Sequence, residues 1–591
     1  MADELQKINE AVERISLCAE RPLLSRAQWQ DPASIRSYIA SLQEKVMRQH
    51  GDVVVSVGHA DVAFGAAELA HVLSLATTVA AELGFTLSVI SPVSDESGTY
   101  VECLLRARIE ADDFVEVRVA TVGQVDAGKS SLLGVLTHNA RDNGRGSARA
   151  CLLKHDHEKS TGQTSSVTHN ILGFDRDGHV VNRPDHQGRL NWTDICSRAS
   201  KVVTFVDLAG HEKYLKTTAL GMTGHHPDYV MLVIGANAGV QNMTKEHMKM
   251  ALGLDVPMIV VVTKIDMAPP DVLQHTLKYT QLVLKSPGCR KIPLLINDAR
   301  DLPLAYSGFH GKQVAPVFQV SNVRGDGLDI LRAFLNLLVP TRVRRADGVP
   351  LFQVDETFRV PGIGAVVSGT MMSGVLRVGD DVRVGPQRDG SDIARSNIRS
   401  IHRHRMPVTY LTAGEMGTLA LKRVDKDQLA RGDVITIGDG AIGTVRFVAR
   451  LVVLTHRSTI HVGYQATVHV GSVRVTCRVL TISTGDGLRS GESGLVEFVI
   501  IRGAHYIGVG ERIVLREGNS KGVGDVQAVY ATGHAEAIEF LEHRKRGDGV
   551  EWNSEEGTFA VAHGAERVKR SRRQRRREKM ANFAADCAAT E

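Results

Sequence analysis

The chain has 591 residues, with 71 Lys plus Arg, 66 Asp plus Glu and a formal net charge of +5. That length exceeds what one hydrophobic core usually serves and predicts roughly three to five domains, while 43% apolar and 23% charged residues exclude a mainly disordered or fibrous chain. Nine Lys/Arg against two Glu in residues 565–580 (AERVKRSRRQRRREKM) carry a surplus of +7, which leaves −2 on the other 575 residues.

In chain order, Leu5, Ile8, Val12 and Ile15 recur at helical spacing and predict a helical segment over 1–50. The start, MADELQKINEAVERIS, is acidic early and lacks the apolar core of a secretory leader. A strand at 52–57, an Ala/Leu-rich helix from Ala63 to Leu83, and strands at Phe85 to Ile90 and Tyr100 to Ile109 predict a small α/β domain at 51–112. Phe114 to Val122 is a β-branched strand. Strands and helices then alternate: Val202 to Asp207, Tyr229 to Ala236, a helix from Thr244 to Leu254, Met258 to Thr263, a helix at 271–286, a strand at 316–321 and a helix at 326–338. This alternation predicts an α/β domain over 113–342, with a parallel sheet covered by helices on both faces.

After Pro340 the texture changes to short β-branched runs between Gly-rich turns, such as VPGIGAVVSGTMMSG. That pattern predicts two antiparallel β-barrels, at 347–440 and 445–535. A C-terminal extension, 536–591, holds a helix-like stretch and then the basic run. No apolar run approaches the roughly 18–20 residues that span a bilayer. The seven cysteines (18, 103, 151, 196, 289, 477 and 587) include no CxxC pair, which suits reduced thiols and a cytoplasmic, non-membrane protein.

Residues 123–130 read G-Q-V-D-A-G-K-S, a complete G-x-x-x-x-G-K-S between a strand and an expected helix. Gly123 and Gly128 let backbone N–H groups turn toward phosphate oxygens, with Val125, Asp126 and Ala127 between them. Lys129 supplies a point charge for the β- and γ-phosphates, and Ser130 offers a hydroxyl to Mg²⁺. The helix from Ser131 onward aims its positive end at the phosphates.

This loop alone does not choose between ATP and GTP. The strand Val202 to Val206 ends in Asp207-Leu208-Ala209-Gly210-His211, where a carboxylate can hold Mg²⁺ and Gly210 lets the backbone approach a γ-phosphate. The strand Met258 to Val262 ends in Thr263-Lys264-Ile265-Asp266. A carboxylate at Asp266 can accept from guanine N1–H and the exocyclic amine, a donor pair that adenine lacks. Ser321, Asn322 and Val323 follow the last strand as a loop over the base. Each element alone is weak; four in order, each at a strand's C-terminal end, are strong.

The order of these motifs, followed by two barrels, resembles the translational GTPases related to elongation factor Tu and its eukaryotic counterpart, and within them the GTP-binding protein 1/2 family. The stretches that carry the resemblance are DNGRGSAR (142–149), TGQTSSV (161–167), FVDLAGHEKYLKTT (205–218), TKEH (244–247), KSPGCRKIP (285–293), VPGIGAVVSGT (360–370) and SIHRHRMPV (400–408). The resemblance implies GTP/GDP and Mg²⁺ as ligands, with Ser130, Thr164 and Asp207 around the metal. Thr164 matches the switch I threonine, and His211 the histidine that positions the attacking water. Val125 matches the apolar gate beside that histidine, and Asp126 the acid of the phosphate loop. Ala209 replaces the usual Pro. Thr263 replaces the usual Asn, which implies lower base affinity. Gln124 and Ala127 replace histidines common in elongation factors.

In function, the resemblance implies a GTP-hydrolysing switch that acts on ribosomes and delivers or senses tRNA or another RNA, in elongation or ribosome quality control. The alternative is a nucleotide-gated adaptor that recruits RNA-decay machinery with little turnover. The basic run, including Arg572, Arg573, Arg575, Arg576 and Arg577, suits a polyanion contact through phosphate neutralisation; it also fits a targeting signal or a solvated tail. His225-His226 and His402/His404 lack the Cys/His complement of a tetrahedral metal site. Arg290 and Lys291 beside Cys289 are of the kind that lowers a thiol pKa, but with no base in view Cys289 reads as a structural or surface cysteine.

Overall fold

The computed structural model describes residues 24–48, 51–58, 62–95, 98–107, 113–153, 158, 164, 166–186, 188–341, 346–386, 394–438, 443–485, 487–518, 520–531, 550–553 and 558–561. The helical spacing of Leu5 to Ile15, Gly162 and Gln163, the helix-like stretch after 536 and the basic run with Arg572 to Arg577 lie outside these residues. The chain divides into one unit up to Tyr530 and a second from Ala531. In the second, Val550–Asn553 pairs with Thr558–Val561 as a hairpin.

Near the N-terminus come α1 (Pro32–Arg48), β1 (Asp52–Val57), α2 (Ala66–Glu82), β2 (Phe85–Asp95) and β3 (Gly98–Ala107). The strands form an antiparallel sheet in the order β1-β3-β2. Val53, Val55 and Val57 alternate onto one face, where Ile35, Ile39, Leu42 and Val46 of α1 cover them. Val54, pointing the other way, and Ile90 pack on the core of the next domain.

That domain runs β4 (Val115–Gly123), α3 (Lys129–His138), β5 (Thr168–Phe174), β6 (Lys201–Asp207), α4 (Leu215–Gly224), β7 (Tyr229–Gly235), α5 (Asn242–Gly253), β8 (Met258–Thr263), α6 (Pro270–Lys285), β9 (Ile292–Ile296), α7 (Leu302–His310), β10 (Val314–Gln319) and α8 (Leu328–Leu337). Strand order is β5-β6-β4-β7-β8-β10-β9. Every pair is parallel except β5 with β6. The expected wholly parallel sheet is thus corrected by one antiparallel edge strand. Alternate residues of β7 divide between two cores: Tyr229, Met231 and Val233 meet α3, α7 and α8, whereas Val230, Leu232 and Ile234 meet α4 and α5. Burial on both faces explains why β7 and β8 read as continuous apolar runs, whereas β4 carries Glu116 and Arg118 toward the first barrel.

An ion cluster joins β1 and β3 to this domain. The Arg106 guanidinium grips both Asp52 oxygens at 2.9 Å, and Lys201 at the start of β6 pairs with the same carboxylate. Arg106 also donates to the Asp175 carbonyl (3.0 Å) and Asn336 Oδ1 (2.9 Å), and Lys201 to the carbonyls of Asn336 (2.6 Å) and Leu338 (2.8 Å). All three charged side chains are buried.

Two six-stranded barrels follow. In the first, Asp381–Gly385 pairs with both Ala394–Arg403 and Val434–Thr436 and so closes the ring. The second is closed from Thr444–Thr455 to Ser520–Ala531. The first barrel meets the α/β domain through polar contacts. Arg118 donates to Thr370 and the Gly414 carbonyl (3.2 and 2.7 Å), Arg403 donates to the Phe114 carbonyl (2.8 Å), and His404 faces Glu116 at 3.1 Å. The second barrel seats Val514 and Val523 in the core beside α5 and pairs Lys521 with Glu246.

Both barrels and the α/β domain meet at the C-terminal end of α4. There His225 faces Asp355 of the first barrel at 3.6 Å, and His226 Nε2 lies 3.0 Å from Gln353 Oε1. Ser472 of the second barrel donates to Asp355 and, at 3.4 Å, to the Gly224 carbonyl. The structure thus uses His225, His226 and His404 as partners across domain contacts. Among the described residues no helix is long and apolar enough to cross a membrane.

Candidate functional site

The C-terminal ends of four strands, β4, β6, β8 and β10, carry the site. After β4, Gly123 and Gly128 lie at φ 148° and 84°, values that cost a residue with a side chain and turn the loop back on itself. The loop leads into α3, whose first turn carries Lys129, Ser130 and Ser131. Val125, Asp126, Gly128, Lys129, Ser130 and Ser131 line a single pocket together with Thr164, Gly210, His211 and Arg149. The phosphate-side residues expected from sequence are therefore brought together.

Lys129 is buried and donates to the Gln124 carbonyl at 2.8 Å, which aims its ammonium across the loop. Burial pushes its pKa down, against the pull of Asp207 and Asp126. Gly210 approaches so closely that a Cβ there would meet Lys129 Nζ, the Gly123 carbonyl at 2.7 Å and the Gln124 backbone at 2.8 Å.

Ser130, Thr164 and Asp207 share one point. Ser130 Oγ lies 2.8 Å from both Thr164 Oγ1 and Asp207 Oδ2, and Thr164 Oγ1 lies 3.5 Å from the same carboxylate oxygen. Burial pushes the Asp207 carboxyl up, against Lys129 and the two hydroxyls. Asp207 Oδ1 is buried with no hydrogen-bond partner. A buried orphan carboxylate oxygen beside two hydroxyls is the donor set a hard divalent cation takes, so these residues fit Mg²⁺.

On the base side, Thr263 at the end of β8 is buried. Its hydroxyl donates to the carbonyls of Ala127 (2.6 Å) and Ile234 (3.3 Å). Lys264 follows at φ 61°. Asp266 is half-buried and accepts from Ser321 Oγ at 2.7 Å; Ser321 in turn accepts from the Arg324 N–H at 3.0 Å. Asn322 is buried with its Oδ1 unpartnered, while Val323 is exposed.

His211 is exposed at the pocket rim. Its Nδ1 accepts from the Lys213 N–H at 3.1 Å, and its ring meets Tyr214 edge-on. A neutral imidazole with an accepting Nδ1 carries its proton on Nε2. Arg149 lies within the resembling stretch DNGRGSAR, which gives it no role by itself; the local signal is a cation directly after an Asp/Gly-rich turn. Cys289 is a buried structural cysteine: burial pushes its thiol up more than Lys291 pulls it down.

Residues 116–341 match the elongation factor Tu GTP binding domain, and residues 364–436 match elongation factor Tu domain 2. GTP-binding protein 1 of Xenopus laevis is 49% identical over 431 residues, which cover 73% of this chain and 66% of that protein. Human GTP-binding protein 2 is 42% identical over 447 residues, covering 74% of this chain and 73% of that one. Elongation factor 1-alpha of Methanopyrus kandleri is 27% identical over 61% of this chain. In fold, the chain is similar to translation elongation factor SelB from Methanococcus maripaludis in complex with the GTP analogue GppNHp, with a TM-score of 0.52 and 20% identity over 73% of this chain and 81% of that one. The chain belongs to the GTP-binding protein 1/2 family of translation-factor-like, elongation-factor-Tu-related GTPases.

Proposed function

We propose that this GTPase acts on ribosomes, where its nucleotide state governs delivery or sensing of a tRNA or another RNA in elongation or quality control. The observation that carries this reading is the position of His211. It stands exposed at the rim of the phosphate pocket, one residue after Gly210, and both barrels meet the C-terminal end of α4, the helix that follows it. A solvent-facing histidine is open to repositioning by an external surface, and its Nε2–H is a donor suited to placing a water rather than deprotonating it.

Lys129 and the loop 123–128 hold the β- and γ-phosphates. Asp266, Ser321 and Asn322 hold the base. Ser130, Thr164 and Asp207 would hold Mg²⁺, which when bound would offset phosphate charge. Thr164 and Gly210 order the two switch segments around the terminal phosphate, and its loss releases them. The basic run at 565–580 contacts a polyanion, so removing residues 565–591 weakens RNA or ribosome association and its salt dependence while intrinsic nucleotide binding stays the same.

The test is GTP turnover with and without ribosomes, using His211→Ala as control. Stimulation of the wild type and its loss in the variant, with nucleotide affinity retained, is the expected result. A wild type indifferent to ribosomes sinks the reading in favour of an adaptor that recruits RNA-decay machinery.

A further inference from the structure

We propose that Arg149 is a catalytic arginine supplied in cis, which donates to the terminal phosphoryl oxygens as GTP is hydrolysed. The inference deepens the GTPase reading above and rests on it.

Arg149 lines the phosphate pocket, in company with Lys129, Thr164, Gly210 and His211. Its mount is built for fixed placement. The Asp142 carboxylate gathers the N–H groups of Gly144 (3.1 Å), Gly146 (3.3 Å) and Ala148 (2.9 Å) and the Ser147 hydroxyl (3.1 Å), which winds residues 142–150 into one tight turn ending in the short helix Ser147–Ala150. This turn is tied down at two further places. The Asp142 N–H donates to the Asn322 carbonyl at 2.9 Å, which joins it to the base loop. Ala148 presses its backbone on α3 at Gly134, where even a Cβ has no room, and Ala148 and Leu152 enter the core beside Leu132 and Leu136. The backbone that carries Arg149 is thus held by the base loop and the phosphate helix together.

Placement of this kind matters because hydrolysis concentrates negative charge as the reaction proceeds. The water oxygen forms a bond to the γ-phosphorus while the bond from that phosphorus to the β–γ bridging oxygen breaks. GDP departs with the bonding pair, and the water proton passes to phosphate or solvent. Donors already in position where that charge develops lower the barrier without reorganising. Lys129 is a compact point charge held by the loop carbonyl; Arg149 brings a planar fork that can donate to two oxygens.

The test uses the full chain with Arg149→Ala and Arg149→Lys. Single-turnover hydrolysis is measured with and without ribosomes, beside the affinities for GppNHp and for GDP with aluminium fluoride. The expected result for Arg149→Ala is hydrolysis slowed about 100-fold or more, GppNHp affinity within about threefold of wild type, and loss of the aluminium fluoride complex; Arg149→Lys recovers part of the rate. Wild-type turnover by Arg149→Ala in both conditions overturns the proposal, as does a loss of GppNHp affinity as large as the loss of rate. Should Arg149→Ala fail to fold, wild-type turnover by Arg149→Lys overturns it. A wild type that ribosomes do not stimulate fails the ribosomal reading alone, because the ratio of variant to wild type is also read on intrinsic turnover.

Discussion

The Thr263 hydroxyl donates to the Ala127 carbonyl at 2.6 Å, so the residue standing where the related factors carry Asn fastens the end of β8 to the loop 123–128. The lower base affinity expected from the missing amide is set against this tie. Thr263→Ala strips a donor from two buried carbonyls, at about 1–2 kcal/mol. GTP and GDP affinities should both fall, by roughly 5–30-fold, because the tie supports the loop and not the terminal phosphate. Competition titration checks this, with Thr263→Ser expected to retain affinity. Unchanged affinity in the Ala variant would show the hydroxyl to be dispensable.

Asp266→Asn exchanges a double acceptor for a side chain that donates on one arm. GTP affinity should drop by at least about 100-fold, with xanthosine triphosphate gaining what guanosine triphosphate loses. Displacement of a labelled GTP analogue by each nucleotide measures it. ATP competing with the wild type as well as GTP does would remove the basis for the base assignment.

Gly210→Ala places a methyl against the Gly123 carbonyl and the Gln124 backbone, neither of which can yield without distorting the phosphate loop. Segment 207–211 should then stand off the pocket. GDP affinity is expected within about threefold of wild type and hydrolysis slowed by about 100-fold, the scale of a small misplacement at a reacting centre. Equilibrium GDP binding and single-turnover hydrolysis separate the two; equal loss of both contradicts a switch-specific effect.

Asp52→Asn leaves Arg106 and Lys201 buried without their counter-charge and should cost about 3–5 kcal/mol, read as a lower unfolding midpoint. Burial alone would raise the Asp52 carboxyl, but the Lys201 and Arg106 charges overcome it and hold the group below the usual carboxylate range. Lys201 is itself pushed down to about 8 by burial, against the pull of Asp52, and stays charged at neutral pH. Because the Asp52 value is lower folded than unfolded, the unfolded chain takes up this proton first. The stability it confers is whole above about pH 4 and is lost as pH falls through the folded value. Thermal melts across that range should therefore show a steeper acid limb for wild type than for Asp52→Asn; identical limbs would count against the charge cluster.

The phosphate loop and the segments ending in Asp207, Asp266 and Asn322 were legible because buried parallel strands are rich in apolar and β-branched residues and point to the motif after each one. Edge strand β5 was not. Its sequence, THNILGF, sets His169 and Asn170 among the apolar residues and resembles a loop. Strand β9 is five residues long and interrupted by Pro293. The Asp52–Arg106–Lys201 cluster was hidden for another reason: Lys201 opens a strand like any exposed lysine, and nothing local marks it as the buried partner of a carboxylate 149 positions earlier. Arg149 escaped likewise, since the turn that aims it depends on Asn322, far along the chain.

Helix α4 starts a few residues past Gly210 and ends at Gly224, against Ser472, with His225 on Asp355. Ten residues at 1.5 Å each make it an arm of about 15 Å. One end lies next to the segment that touches the phosphate loop; the other rests where three domains share hydrogen bonds. Such an arm has no slack in the middle, so tilting it at the nucleotide end must shear the far contacts. The cheapest place for that work to appear is the seam between the two barrels, where a single serine hydroxyl answers to both.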